Sequence, residues 1–252
     1  MLKIRVIPTL LWNGKALVKG VSFDSWRVIG SPQQSIQVYD MREVDELIFL
    51  DITATNQERS PDVNLVDELA DQCFVPFTVG GGVRSSEDAK QLLRAGADKV
   101  AINTMAVEHP EFLDPIVRQF GSQCVVVSID ARRREDGTYE VFTQAGTRAT
   151  GRDPADVAKI AEEHGAGEIL VTSIERDGTL TGYDIALIRR VTGAVSIPVI
   201  ASGGAGTYAD MERALGEGGA SAVAASAMYQ FTQQTPLEAK HYLKKQGFPV
   251  RV

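Results

Sequence analysis

Three carboxylates stand where apolar, strand-forming runs end, a position from which a carboxyl group can do acid–base chemistry. Asp51 ends "ELIFLD", Asp130 ends "VVVSID", and Asp177 lies in the polar loop "SIERDGTLTGYD". A carboxyl group at such a position serves as general acid or base when its surroundings raise its pKa. It can equally cap the next helix or bind a loop N–H. The opening run "VIPTLLW" resembles "VVVSID" but ends near Leu11, where no carboxylate is available.

Two glycine-rich segments have the composition of phosphate-binding turns. Each follows a predicted strand and precedes a helix, so that the close backbone approach allowed by glycine combines with free N–H groups at a helix N-terminus. Asn, Thr or Ser at a neighbouring strand end supplies a further donor, and the Asp177 loop can position a phosphate or a sugar hydroxyl. The predicted phosphate-binding residues are Gly81, Gly82, Asn103, Thr104, Asp177, Gly178, Ser202, Gly203, Gly204, Ala225 and Ser226. The alternative is that the glycines only make tight turns.

Charged residues occupy the starts of four apolar strands, where a hydrophobic core would exclude them. They are two cations and two anions: Arg5, Glu46, Lys99 and Glu168. Because buried charges are costly unless they are paired, we expect a neutral four-membered ring at the bottom of the fold. Such a ring can stabilise the fold or gate a passage through it.

The elements that position these residues alternate between short strands and helical segments. Besides the opening strand, the predicted strands are Glu46–Asp51, Pro76–Val79, Lys99–Ile102, Val125–Asp130, Glu168–Thr172, Pro198–Ala201 and Ala222–Ala225. Eight such units predict an α/β protein with one (β/α)₈ barrel domain over residues 1–252. The Asp136-Gly137 pair predicts a hairpin after the fifth strand.

The two halves of the chain resemble each other at an offset of 122 residues. "ELIFLDIT" aligns with "EILVTSIE", and "PFTVGGGVRSSEDAKQLLRAGADKVAINT" aligns with "PVIASGGAGTYADMERALGEGGASAVAAS". At this offset Asn103 and Thr104 align with Ala225 and Ser226. The repetition predicts two duplicated half-barrels.

Composition excludes several classes of function. The net charge of −7 argues against a nucleic-acid surface, and no run approaches the roughly 20 apolar residues of a membrane span. Cys73 and Cys124 lie in apolar surroundings and indicate two reduced, buried thiols. We therefore expect a cytoplasmic protein without a cofactor. The three histidines share no metal-ligand spacing, so no metal site is expected.

The motifs resemble the cyclase subunit of imidazole glycerol phosphate synthase over essentially the whole chain. They include "TVGGGVRS", "RAGADKVAINT", "FGSQCVVVSIDA", "RDGTLTGYD" and "PVIASGGAG". The resemblance implies a barrel that receives ammonia from a glutaminase docked under the strand N-termini. It also implies that the charged ring is an ammonia gate, that Asp98 contacts the glutaminase and that Asp130 is one of two catalytic aspartates.

The other catalytic aspartate is replaced in this chain. The family's first strand reads Cys-Leu-Asp where this chain has Thr9-Leu10-Leu11, while Lys19-Gly20 still follows at the family spacing. Leucine transfers no proton, and a general acid–base group contributes about 10²–10⁴-fold. The rate of the cyclisation reaction is therefore expected to be strongly reduced in this chain.

Other segments resemble a paralogous branch associated with cell-surface polysaccharide gene sets. They are "LLW", "WRVIGSP", "REVDELIFLDI" and "GASAVAAS". The resemblance implies that this barrel and a glutaminase supply ammonia to a separate ATP-dependent sugar amidotransferase. We favour this function.

Three alternatives remain open. The first is an active cyclase of histidine biosynthesis, which converts the intermediate PRFAR and ammonia into imidazole glycerol phosphate and aminoimidazole carboxamide ribotide (AICAR), with Asp130 acting alone or helped by Asp51 or Thr9. The second is a barrel that only stabilises its glutaminase. The third, a phosphosugar isomerase of the same lineage, is disfavoured because its catalysis also needs an aspartate at the end of strand one.

Overall fold

Eight parallel strands close into a barrel in the computed structural model, which describes residues 3–252. Hydrogen bonds join the strands in the order β10-β11-β12-β1-β4-β5-β6-β7, and β7 also pairs with β10. The barrel strands are β1 (Arg5–Trp12), β4 (Leu47–Asp51), β5 (Phe77–Gly80), β6 (Lys99–Ile102), β7 (Val125–Arg133), β10 (Glu168–Ser173), β11 (Val199–Ser202) and β12 (Ala222–Ala225). The fold is the predicted (β/α)₈ barrel.

Helices surround the barrel and return the chain from the end of one strand to the start of the next. They are α1 (Pro32–Met41), α2 (Val63–Ala70), α3 (Ser86–Arg94), α4 (Thr104–Glu108), α5 (Leu113–Phe120), α6 (Pro154–Glu163), α7 (Ile185–Thr192), α8 (Tyr208–Gly216), α9 (Ala227–Phe231) and α10 (Pro236–Lys245). Side-chain caps begin many of them, and Ser85 and Thr207 form capping boxes with Asp88 and Asp210. No helix within residues 3–252 is long and apolar enough to cross a bilayer.

The duplication is visible in the elements. The offset of 122 residues maps α2 onto α7, β5 onto β11 and α3 onto α8 without a shift. After α8 the second half carries one extra residue, so β12 and α9 follow β6 and α4 at 123. The predicted pairing of Asn103 with Ala225 is therefore wrong by one residue, and Asn103 corresponds to Ser226; each lies at the N-cap of the helix that follows.

Two hairpins project beyond the barrel at the C-terminal ends of the strands. β2 (Leu17–Val21) and β3 (Asp24–Gly30) follow β1, whereas β8 (Tyr139–Thr143) and β9 (Arg148–Ala149) follow β7. The Asp136-Gly137 turn joins β7 to β8 as predicted. The hairpin of β2 and β3 is not predicted by the sequence pattern.

The core has two parts because the barrel wall has two faces. A large cluster lies between the barrel and the helices. A smaller cluster fills the barrel interior and comprises Ile7, Ile48, Ala101, Val126, Leu170, Ile200, Ala222 and Ala224, with Leu50 against it. Cys73 and Cys124 are free thiols. The prediction that they are buried is wrong, because both are only half-buried.

Candidate functional site

A cavity of about 260 Å³ opens at the C-terminal end of the barrel strands. All eleven predicted phosphate-binding residues line it, as do Leu11, Asp51 and Asp130. The strand ends and the loops after them therefore bring together side chains that are far apart in sequence, as expected for the catalytic face of a (β/α)₈ barrel.

The glycine turns are held in conformations that only glycine adopts easily. Gly81 and Gly204 both have φ of +105°. A Cβ atom would lie 2.2 Å from the Asp51 carbonyl oxygen at Gly81, and 2.3 Å from the Gly182 carbonyl oxygen at Gly204. Close backbone packing thus accounts for these glycines, and the same packing places their main chain on the cavity wall.

Two of the predicted donors have structural partners. The amide of Asn103 donates to the carbonyl oxygens of Ser128 at 3.0 Å and Phe142 at 3.2 Å. The hydroxyl of Thr104 accepts from the Gln144 N–H at 3.1 Å. These contacts fix the start of α4 against the hairpin of β7 and β8.

Asp130 is the carboxylate best suited to proton transfer. It lies on the interior side of β7, 9% exposed, and the contact to its Oδ1 is a long one, 3.5 Å from the Ser128 hydroxyl. Burial raises the pKa of Asp130 to about 7, with a further contribution from the negative charge of Asp177. A carboxyl group with this pKa both donates and accepts protons near neutral pH.

Asp51 is engaged in organising its own loop. Its carboxylate accepts hydrogen bonds from the Thr53 and Ala54 N–H groups, both at 3.0 Å, and pairs with Arg59 at 3.1 Å. These contacts match the turn-binding alternative that the sequence left open.

Lys19 is a cavity residue outside the predicted site. It is 2% exposed, and its Nζ lies 2.6 Å from Asp177 Oδ2. This ion pair ties β2 to the loop after β10, and Gly178 packs against the Gly20 carbonyl oxygen at the same point. The only sequence signal was the Lys19-Gly20 pair, because a lysine in a β-hairpin is usually a solvated surface residue.

The hairpin of β2 and β3 covers the cavity. Ser22 and Phe23 in its turn, and Ser25 at the start of β3, have positive φ. Phe23 and Trp26 line the cavity, and the Ser22 N–H donates to the Asp177 carbonyl oxygen at 2.8 Å. Since non-glycine residues rarely adopt positive φ, this turn depends on its contacts with the Asp177 loop.

The four predicted ring residues meet at the opposite end of the barrel, and we call them the collar. Arg5 pairs with Glu46 at 2.7 Å and Glu168 at 3.0 Å, while Lys99 pairs with Glu46 at 3.0 Å and Glu168 at 3.1 Å. Burial alone would lower the pKa of Arg5, but the two carboxylates raise it, so the guanidinium stays charged. The collar is closed, and fully buried Ile7, Ile48, Val126 and Ile200 lie in the barrel interior.

The face around the collar carries two exposed apolar side chains. Met41 is 75% exposed and Phe74 is 79% exposed. Met41 ends α1 and Phe74 lies between α2 and β5, which places both on the same face as exposed Asp98. The sequence pattern does not predict either of them.

All eight barrel strands lie within the part of the chain that matches one protein family. Residues 5–234 match the family described as histidine biosynthesis protein. The chain belongs to this family. Histidine biosynthesis family proteins of the cyclase and isomerase type are in general enzymes, and the cavity with Asp130, Lys19 and Asp177 lies at the face where a barrel of this family would bind its substrate.

Proposed function

We propose that this chain is the barrel subunit of a glutamine-amidotransferase system. A glutaminase docks at the collar face, and its ammonia passes through the barrel to a separate ATP-dependent amidotransferase that acts on an amino sugar of a surface polysaccharide. The observation that carries the proposal is the combination of a complete collar at one end of the barrel with Leu11, in place of a proton carrier, at the other.

The environment of Leu11 supports a loss of cyclase chemistry. Leu11 is 7% exposed and lines the cavity. Two of the other cavity carboxylates are already paired, Asp51 with Arg59 and Asp177 with Lys19. Neither replaces the missing acid–base group without breaking an ion pair. Asp130 is left as the single carboxyl group suited to proton transfer, whereas the cyclisation would use two.

The collar face supports a protein partner. Exposed Met41 and Phe74 offer apolar contacts beside the charged collar, and aromatic residues and Met are enriched where proteins bind one another. The glutaminase contact implied for Asp98 would lie on this same face, where Asp98 Oδ2 accepts the Phe77 N–H at 2.8 Å.

One specific observation favours an active cyclase as the second candidate. The cavity keeps both glycine turns and Asp130, whose pKa of about 7 suits acid–base catalysis. On this reading Asp130 converts PRFAR and ammonia to imidazole glycerol phosphate and AICAR without a second carboxylate.

An assay of the purified chain with PRFAR and ammonium salt separates the two candidates. We expect no turnover above that of Asp130→Asn, and a gain in Leu11→Asp, since general acid–base catalysis contributes about 10²–10⁴-fold. Turnover by the unmodified chain that the Asp130→Asn substitution abolishes would reject the proposal in favour of the cyclase.

The docking face is tested with a matched pair of variants. Phe74→Asp places a charge on the collar face, and Val28→Asp places one on β3, where Val28 is 70% exposed. We expect Phe74→Asp to weaken glutaminase binding about tenfold or more, as for a central interface residue, and Val28→Asp to leave it unchanged. Equal affinities of the two variants would remove the support for this face.

A further inference from the structure

The strand β3 has one hydrogen-bonded neighbour and one open edge. Within residues 3–252 it pairs with β2 alone, and six of its seven residues are exposed. An open edge offers a row of N–H and C=O groups to another strand, and proteins usually block it with proline, charges or a covering segment. β3 contains no proline, and its two charges have opposite signs, Asp24 and Arg27. This edge is therefore poorly protected against pairing.

Exposed apolar side chains accompany the open edge. Trp26 is 40% exposed and Val28 is 70% exposed. A groove of about 480 Å³ runs beside the end of the strand, between Val28, α1 and α9. Val38 and Phe231 on the walls of this groove are 37% and 50% exposed. Apolar side chains gathered in this way are typical of a surface that another protein covers.

The charges of β3 suit a second copy of the same strand. Both Asp24 and Arg27 are exposed, and neither belongs to an ion pair in the described part of the chain. A two-fold axis near Ser25 and Trp26 would bring Asp24 of each copy beside Arg27 of the other. The arginine side chain is long enough to reach across the irregular backbone at Ser25, where φ is +55°. Opposite charges on neighbouring strands stabilise their pairing, and the symmetry makes the contact twice.

We propose that the open edge of β3 is the contact through which two copies of this chain form a dimer. The two hairpins then make one antiparallel sheet in the order β2-β3-β3-β2 across the two-fold axis. The contact lies at the cavity end of the barrel, so the collar face of each copy stays open to a partner. Trp26 lines the cavity and belongs to the dimer contact as well. The inference does not depend on the proposed transfer of ammonia.

Sedimentation equilibrium of the full chain measures the dissociation constant of this dimer. Asp24→Arg and Arg27→Asp each turn both opposite-charge pairs into like-charge pairs, so either variant alone should raise the dissociation constant about tenfold or more. An equimolar mixture of the two variants recovers both opposite-charge pairs in a mixed dimer. The mixture should therefore associate about as tightly as the unmodified chain.

Two exposed apolar residues provide a matched control. Val28→Asp places a charge at the open edge and should weaken the dimer about tenfold or more, whereas Phe74→Asp on the collar face should leave the dissociation constant unchanged. Circular dichroism and the melting temperature show whether each variant folds. An unmodified chain that stays monomeric at its highest soluble concentration overturns the proposal, as does a mixture of the two charge variants that fails to associate. Loss of glutaminase binding in Val28→Asp would assign this edge to the glutaminase and overturn it as well.

Discussion

Asp130 makes the stability of the protein depend on pH in a direction opposite to that of most aspartates. Burial and Asp177 raise the pKa of Asp130 from 3.8 to about 7. The folded state therefore binds this proton more tightly than the unfolded state does. Stability from Asp130 is fully present below pH 4 and is lost as the pH rises to 7.

The size of the effect follows from the shift. About three pKa units at about 1.4 kcal/mol each give an upper value near 4 kcal/mol, and partial hydration of the carboxylate through the cavity reduces it to about 2–4 kcal/mol. Asparagine has nearly the same shape and carries no charge. The stability of the variant Asp130→Asn minus that of the unmodified chain should therefore increase by about 2–4 kcal/mol as the pH rises from 4 to 8.

Urea unfolding at pH 4, 5, 6, 7 and 8 measures this difference. The control is Asp136→Asn on the hairpin turn, where bonding to the Thr138 hydroxyl and N–H lowers the pKa of an exposed carboxylate. The stabilising effect of the ionised Asp136 carboxylate is lost only as the pH falls through that lowered pKa. The difference in unfolding free energy between Asp136→Asn and the unmodified chain should therefore stay constant from pH 5 to 8. A difference between Asp130→Asn and the unmodified chain that stays flat across the series would show that the pKa of Asp130 is the same in the folded and unfolded states, and the reasoning would fail.

Three further substitutions test the packing of the two barrel ends. Glu46→Gln leaves two collar cations facing one carboxylate, so chemical unfolding should show a loss of about 3–5 kcal/mol; a loss below 1 kcal/mol would contradict the collar geometry. Lys19→Met leaves Asp177 without its cation and should cost a similar amount, with most of the loss recovered in the double variant with Asp177→Asn; absence of recovery would mean that the pair is not coupled. Gly204→Ala should lower stability by about 2 kcal/mol or more, since its Cβ would meet a backbone oxygen, whereas Gly151→Ala, with open space around it, should lose less; equal melting temperatures would refute this.

The barrel could be predicted because its strands are short apolar runs bounded by turn residues. The helices α2 and α3 repeat as α7 and α8 at the predicted offset of 122 residues. The shift after α8 escaped prediction because glycine and alanine dominate the segment 217–222, and such small residues align equally well at 122 or 123. Only the backbone shows that Asn103 and Ser226 hold the same position.

The sequence predicted the site residues that stand at strand ends. It did not predict Lys19, whose burial depends on contacts between segments far apart in the chain. Lys19 is buried because β2 and β3 fold over the cavity, and their turn uses positive φ at non-glycine residues. The residues of this turn are not the glycine, asparagine or aspartate from which such a turn is usually predicted. Conversely, Asp51 and Asp130 look alike in sequence, but Asp51 pairs with Arg59, whereas Asp130 is buried beside the Ser128 hydroxyl and feels the charge of Asp177.

The geometry of the collar has a consequence for its resistance to thermal motion. Each carboxylate touches both cations, so the four contacts form a closed cycle. When thermal motion breaks any one contact, the other three still connect all four side chains. Separating the collar into two parts therefore requires two contacts to break together, and a single fluctuating side chain leaves all four residues connected.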